Sequence, residues 1–213
     1  MPDDIRALFL STADTAIALL ADPAVGAAWD GPSALPEMTV RALAGHLAQQ
    51  VFVIADVLAA EGPTDDPIPV IDHYRRAAWR KVDVHDPVNT RVREGSEAVA
   101  ADGQAALVER ARAAADELAK TLAAEPADRR VYFARADWVL TLDGFLTTRL
   151  LELVVHCDDL AASVGVDTPP VDPEAYRTVV DLLVRLSVER HGQPAVLRAL
   201  TRAERAPADI TAL

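Results

Sequence analysis

Three side chains within one short stretch, Arg149, Glu152 and His156, have the types and the spacing that suit chemistry at a metal ion. Glu152 and His156 are four residues apart, so on a helix about 40° of rotation separates them and they share one face. The residues between them are apolar, which argues against a solvent-facing stripe. A carboxylate and an imidazole at this spacing can bind one divalent cation, because helical bundles build metal sites from inward-facing side chains.

A third candidate ligand is His46, whose neighbours in residues 43–47 are small or apolar and would let another helix approach closely. If the two helices are neighbours, His46, Glu152 and His156 supply two nitrogens and one oxygen, and leave positions open for water or substrate. That ligand number is typical of a catalytic site, whereas a structural zinc site uses four ligands that are often cysteines. Spacing alone leaves an alternative open, in which each histidine is a hydrogen-bonded core residue.

Three further residues are candidates for contacts around this site. Asp159 could hydrogen-bond the histidine three residues before it, and the alternative is a carboxylate on the helix surface. Arg149 could orient Glu152 or bind an anionic substrate, and the alternative is an ion pair with Glu152 or Asp143. Arg76 could reach the mouth of the site and meet a carboxylate of a thiol or its substrate. Cys157 points about 100° away from the preceding histidine, so we expect it to be buried and inert.

The elements that must position these residues are mostly helices. Helical spacing of apolar residues predicts long helices over residues 3–21, 40–60 and 141–164, and a single third helix from residue 88 or 96 to residue 124. Thr39 is the expected N-cap of the second. Shorter elements are predicted at 72–80, 130–135 (extended), 174–191 and 194–204. The prediction is therefore an all-α protein, with a four-helix bundle at residues 1–165 and a short helical extension, residues 166–213, packed on it.

Composition excludes several classes of function. The 213 residues carry 21 Lys and Arg against 33 Asp and Glu, a net charge of −12, so nucleic acid and anionic membranes would be repelled. A single cysteine cannot form an internal disulfide, and the chain opens without the charged and apolar pattern of a signal segment, which predicts a cytoplasmic location. The uninterrupted apolar runs are shorter than the roughly 18 to 20 residues of a membrane span, so none is predicted.

Two segments carry a resemblance to a known family. The stretch 29–47, with Pro32-Ser33, Leu35-Pro36 and Thr39-Val40 before His46, and the stretch 149–160 resemble the metal-binding segments of mycothiol-dependent maleylpyruvate isomerase-like proteins. These proteins belong to the DinB-like superfamily of four-helix bundles, and the similarity covers residues 1 to about 165. The resemblance implies that a divalent metal, usually zinc, is held by His46, Glu152 and His156.

The resemblance also implies a function. A metal could hold the sulfur of a low-molecular-weight thiol, mycothiol or a similar one, as a thiolate that attacks a small electrophilic substrate by S-transfer or isomerisation. A hydrolase in which the metal activates water, and a metal-binding or small-molecule-binding bundle without catalysis, are the alternatives. The expected partners are the thiol and the electrophile, with no nucleic acid or membrane, and the chain is expected to be a monomer or homodimer.

Overall fold

Four long helices form the body of the protein. A computed structural model describes residues 4–60, 65–77, 85–126 and 128–213. The four helices are α1 (Ile5–Leu20), α3 (Val40–Ala59), α6 (Gln104–Ala124) and α7 (Leu142–Val164). Helices α1 and α3 each pack against both α6 and α7, and one apolar core lies between them. The expected all-α bundle is confirmed.

Side-chain caps set where the two helices that carry the candidate site begin. Thr39 Oγ1 accepts a hydrogen bond from the amide of Ala42 at 3.0 Å, so the expected N-cap of α3 is confirmed. Thr141 Oγ1 accepts one from the amide of Gly144 at 3.0 Å and starts α7 in the same way. Helix α7 ends at Gly165, whose φ of 72° lies in the left-handed region that glycine adopts without strain.

The prediction of a single third helix is wrong. The chain forms α5 (Pro87–Val99) and α6, separated by residues 100–103, with Gly103 at a φ of 88°. A residue with a side chain would be strained at that φ, and the glycine directly precedes the first residue of α6. Only α6 belongs to the four-helix body. Helix α5 buries a single residue, Ser96, and packs across α3.

Short elements complete the structure. Helix α2 (Pro23–Ala27) follows α1, and α4 (Val70–Arg76) starts close to the short helix predicted at 72–80, whose expected end lies outside the described residues. The extended stretch expected at 130–135 is one half of a hairpin, in which β1 (Arg130–Phe133) pairs antiparallel with β2 (Trp138–Thr141) and Phe133 lies opposite Trp138.

The carboxy-terminal residues pack on one side of the bundle. Helix α8 (Pro173–His191) contacts α1, α4 and α7, and a second apolar cluster joins them: Leu8, Ile71, Tyr74, Leu150, Leu151, Ala175, Val179, Leu182 and Leu186. Helix α9 (Gln193–Thr201) is shorter than predicted and is followed by a 3-10 turn, Ala203–Arg205. The last residues return along α8, where Ser187 Oγ donates to the carbonyl of Ile210 at 2.7 Å. The boundary at residue 165 stays a prediction.

Among the described residues, α3 is the one helix whose length and composition would allow it to cross a membrane. Of its most apolar window, 61% is buried inside the protein. A core helix of a soluble bundle has the same length and composition, so this is weak evidence for a membrane span.

Candidate metal centre

The structure brings His46 of α3 together with Glu152 and His156 of α7. One ligand atom from each residue lies within 4.8 Å of the others. Glu152 Oε2 is 3.1 Å from Nε2 of His156 and 3.6 Å from Nε2 of His46, and the two imidazole rings meet edge to face with centroids 4.7 Å apart. The three side chains are 14% to 19% exposed, so none of them is fully enclosed. These residues could hold a divalent cation.

A close approach between α3 and α5 places Ser96 of α5 beside Nδ1 of His46. A side chain at Gly45 would overlap the carbonyl oxygen of Ser96, so only glycine allows the two backbones to come this near. Ser96 Oγ donates to the carbonyl of Val92 at 2.7 Å and lies 3.4 Å from Nδ1 of His46. Because its proton is used on Val92, the Ser96 oxygen is left to accept a weak hydrogen bond from Nδ1–H of His46.

A chain of hydrogen bonds fixes the other nitrogen of His46. The guanidinium of Arg149 has only donors, and its Nη1 lies 2.7 Å from Gln50 Oε1, so that oxygen must be the acceptor. The amide nitrogen of Gln50 therefore faces His46, where it donates to the backbone carbonyl at 2.8 Å and lies 3.3 Å from Nε2. Nε2 of His46 is consequently the nitrogen without a hydrogen, which lies 3.6 Å from Glu152 Oε2 and could bind a metal.

His156 carries the proton of the cluster when no metal is bound. Its Nδ1 lies 2.9 Å from Asp159 Oδ2 and its Nε2 lies 3.1 Å from Glu152 Oε2, and both contacts need a hydrogen on the ring. Burial lowers the pKa of His156, but the hydrogen bonds to the two carboxylates outweigh burial and raise that pKa to about 9. The proton on Nε2 thus occupies the place that a cation would take.

The pKa values of Glu152 and His46 are both lowered, so both side chains are unprotonated at neutral pH and can bind a cation. Burial would raise the pKa of Glu152, but the hydrogen bond from His156, the contact with His46 and the charge of Arg149 hold it well below its usual range. Burial lowers the pKa of His46, against the opposing effect of its contact with Glu152. At neutral pH the site therefore offers one carboxylate and one neutral imidazole, and it releases one proton when the second imidazole binds a metal.

The remaining predicted residues have different surroundings. Asp159 lies against His156, as the spacing suggested, and its role in supporting a metal ligand stays a prediction. Arg149 has no carboxylate oxygen within 4 Å among the described residues, so the alternative of an ion pair with Glu152 or Asp143 is wrong, and Asp143 pairs with Arg6 at 3.2 Å instead. Arg76 is exposed, and its contact with the mouth of the site stays a prediction.

Cys157, next to His156, is buried. Its side chain is part of the bundle core, with 1% of the residue exposed. Burial raises the pKa of its thiol to about 12, so it stays protonated at neutral pH and is a poor nucleophile. If this site uses a sulfur nucleophile, the sulfur must come from a bound molecule.

Gln50 and His73 were not among the predicted site residues. Gln50 is one helical turn after His46, so it lies on the same face of the helix. This spacing could have predicted a contact between the two side chains. His73 is 4% exposed, and its Nδ1 accepts a hydrogen bond from Trp138 Nε1 at 3.1 Å. Burial and then the charge of Arg149 lower the pKa of His73 to about 4, so it is neutral at physiological pH. No local pattern could have placed it here, because the hairpin that holds it is more than 50 residues away along the chain.

The comparisons with known proteins point to one family. The model of the mycothiol maleylpyruvate isomerase N-terminal domain matches residues 10–161, which is more than two thirds of the chain and contains all three residues of the cluster. The searches of curated proteins and of solved structures found no match.

Proposed function

Because the chain belongs to the mycothiol maleylpyruvate isomerase N-terminal domain family, we propose that it is a metal-dependent enzyme that uses a low-molecular-weight thiol. The metal, most simply zinc, is bound by His46, Glu152 and His156. The thiol is mycothiol or a similar compound, and the reaction is S-transfer to, or isomerisation of, a small electrophile. The protein is expected to act in the cytoplasm as a monomer or homodimer.

The observation that carries this proposal is the convergence of three possible metal ligands at one point. Nε2 of His46, the carboxylate of Glu152 and Nε2 of His156 lie within 4.8 Å of one another. Two nitrogens and one oxygen form the ligand set of many catalytic zinc sites, in which a fourth position stays open.

The roles of the chain's own residues follow from the geometry. A bound divalent cation lowers the pKa of a coordinated thiol, so that the sulfur is a thiolate nucleophile at neutral pH. Gln50 and Ser96 hold the imidazole of His46 with Nε2 facing inward. Asp159 fixes the ring of His156 through Nδ1. Apolar neighbours limit water around the cluster, which strengthens the electrostatic interactions inside it.

Cobalt substitution tests the thiol directly. We expect cobalt(II)-loaded protein to gain a near-ultraviolet charge-transfer band between sulfur and cobalt when mycothiol is added, because a thiolate would bind the open position. The control is the des-thiol analogue of mycothiol with serine in place of cysteine, which should not produce the band. Thiol-dependent turnover of an electrophile would then establish the enzyme. A spectrum that mycothiol leaves unchanged, with ester or amide hydrolysis in the absence of thiol, would instead identify a hydrolase.

Replacing Asp159 with alanine should weaken zinc binding by about 10- to 100-fold, because His156 loses the carboxylate that orients its ring and increases its basicity. Competition with a chromophoric chelator measures the change. Asp158→Ala is a matched control, since Asp158 is the preceding residue and its carboxylate accepts a hydrogen bond from Thr168 Oγ1 at 2.6 Å, outside the cluster. Equal zinc affinity in the two variants would contradict the role given to Asp159.

Zinc affinity should also depend on pH. Since the pKa of His156 in the metal-free protein is about 9, zinc must displace a proton at any lower pH. The apparent affinity should therefore rise by up to about tenfold per pH unit towards pH 9 and then level off. Calorimetry in buffers of different ionisation enthalpy counts the protons released. Release of no proton at pH 7.5 would contradict the assignment of His156 as the protonated ligand.

A further inference from the structure

An open cavity lies between α8, α9 and the carboxy-terminal residues. Its volume is about 370 Å³, and its walls include Val180, Leu183 and Val184 of α8, Val196 and Leu200 of α9, and residues 210–213. Val155 of α7 also lines the cavity, whereas none of the three residues of the metal cluster does. The family model matches the chain only as far as residue 161, so apart from Val155 these walls lie outside the match. The cavity is therefore separate from the candidate metal centre.

The walls of this cavity are aliphatic. Among the described residues, no charged side chain and no aromatic ring lines it. The polar residues of the walls, Ser187 and Thr211, already have partners within the protein. Ser187 Oγ donates to the carbonyl of Ile210 at 2.7 Å, and the amide of Thr211 donates to Asp209 Oδ1 at 2.7 Å. A molecule in the cavity therefore meets mostly methyl and methylene groups.

Water is a poor occupant of such a space. The volume corresponds to on the order of ten water molecules, and an ordered water needs about two to four polar partners. Aliphatic walls do not supply these partners. Replacing poorly bound water with an apolar molecule is favourable, because apolar surface of both the molecule and the walls is removed from water.

Exposed apolar side chains extend from the cavity over the neighbouring surface. In the described ranges four large apolar side chains are exposed, and three of them belong to α8 and α9: Tyr176, Leu197 and Leu200. Leu200 is 66% exposed and forms part of the cavity wall. Tyr176 lies one helical turn before Val180 on the same face of α8. An exposed apolar patch that borders a concave site is typical of a binding surface.

We propose that this cavity binds a small aliphatic molecule with an extended alkyl chain. The wall that α8 provides runs from Val180 to Ser187, a length of about 10 Å at the helical rise of about 1.5 Å per residue, so it suits an extended chain. The described walls contain no ring on which an aromatic ligand could stack. The volume lies within the range of small-molecule sites, about 300–1,000 Å³.

Titration of the full chain with straight-chain alcohols, followed by NMR of the methyl groups, tests the proposal. We expect 1-octanol to shift the methyl resonances of Leu183, Val184 and Leu200, and to leave those of Val51, in the core of the bundle, in place. The affinity should rise about three- to fourfold for each methylene group added between 1-butanol and 1-octanol, since each one buries more apolar surface. Unshifted cavity resonances, or an affinity that does not depend on chain length, would overturn the inference.

A pair of variants locates the binding. Val184→Phe should weaken the binding of 1-octanol at least about tenfold, because the larger ring would occupy the cavity. Val188→Phe is the matched control, since it makes the same change one helical turn along α8 at a half-buried residue that does not line the cavity. Equal affinities of the two variants for 1-octanol would count against the assignment of the site.

Sedimentation velocity examines the other possible occupant, a second copy of this chain. We expect the sedimentation coefficient at a given protein concentration to be the same with and without 1-octanol. A dimer that 1-octanol dissociates, or whose formation prevents 1-octanol from binding, would show that the exposed apolar residues of α8 and α9 form an interface between copies. That result would also overturn the inference.

Discussion

Replacing His46 with alanine should reduce the zinc content of the purified protein from about one equivalent per chain to a small fraction of that. The variant loses one of three ligands, and the remaining pair, Glu152 and His156, lie four residues apart on a single helix. Thiol-dependent activity should fall with the metal. The α-helical circular dichroism should be unchanged, because His46 is partly exposed while the apolar residues on either side of it form the core. Elemental analysis measures the zinc.

His191→Ala is the matched control for this experiment. His191 is a partly exposed histidine at the end of α8, whose Nε2 lies 2.9 Å from the carbonyl of Thr211, away from the cluster. Its replacement should leave one equivalent of zinc in place. A His46→Ala protein that retains a full equivalent would show that His46 is not a principal ligand.

Replacing Gly45 with alanine should lower the free energy of unfolding by about 2–3 kcal/mol, because the added methyl group would overlap the carbonyl oxygen of Ser96 and force α5 away from α3. The displacement would also remove the contact between Ser96 and His46, so zinc affinity should fall together with stability. Chemical denaturation of the metal-free protein measures the first effect, and chelator competition measures the second.

A second glycine provides the comparison. Gly95 lies within α5, and a side chain there would meet nothing within 4 Å. Gly95→Ala should therefore raise the free energy of unfolding by about 0.5–1 kcal/mol, since alanine favours the helix. Equal effects of the two substitutions would contradict the close approach of α3 and α5.

Local chemistry made the helices that carry the site predictable. Thr39 caps α3 as expected, and the helical spacing of residues 141–164 matches α7 almost residue for residue. The convergence of His46 with Glu152 and His156 could not be predicted from spacing alone, because spacing does not indicate which helices are in contact. The resemblance to a family supplied that information, and the family is confirmed.

Features that depend on tertiary structure were missed. Alanine occupies both faces of residues 104–124, so apolar periodicity could not separate α5 from α6, and the positive φ of Gly103 shows only in the folded chain. An ion pair of Arg149 with Glu152 or Asp143 was one of the alternatives that the sequence left open. Of its actual neighbours, Phe145 lies four residues earlier on α7, but Gln50 of α3 and Phe133 of β1 are distant in the sequence and no local pattern relates them to Arg149.

Anomalous diffraction at the zinc absorption edge, from crystals of the zinc-loaded protein, would locate the metal. We expect a single strong peak between α3 and α7, at bonding distance from Nε2 of His46, a carboxylate oxygen of Glu152 and Nε2 of His156. A zinc peak elsewhere on the protein, or hydrogen-bonded histidines with no metal between them at saturating zinc, would contradict it.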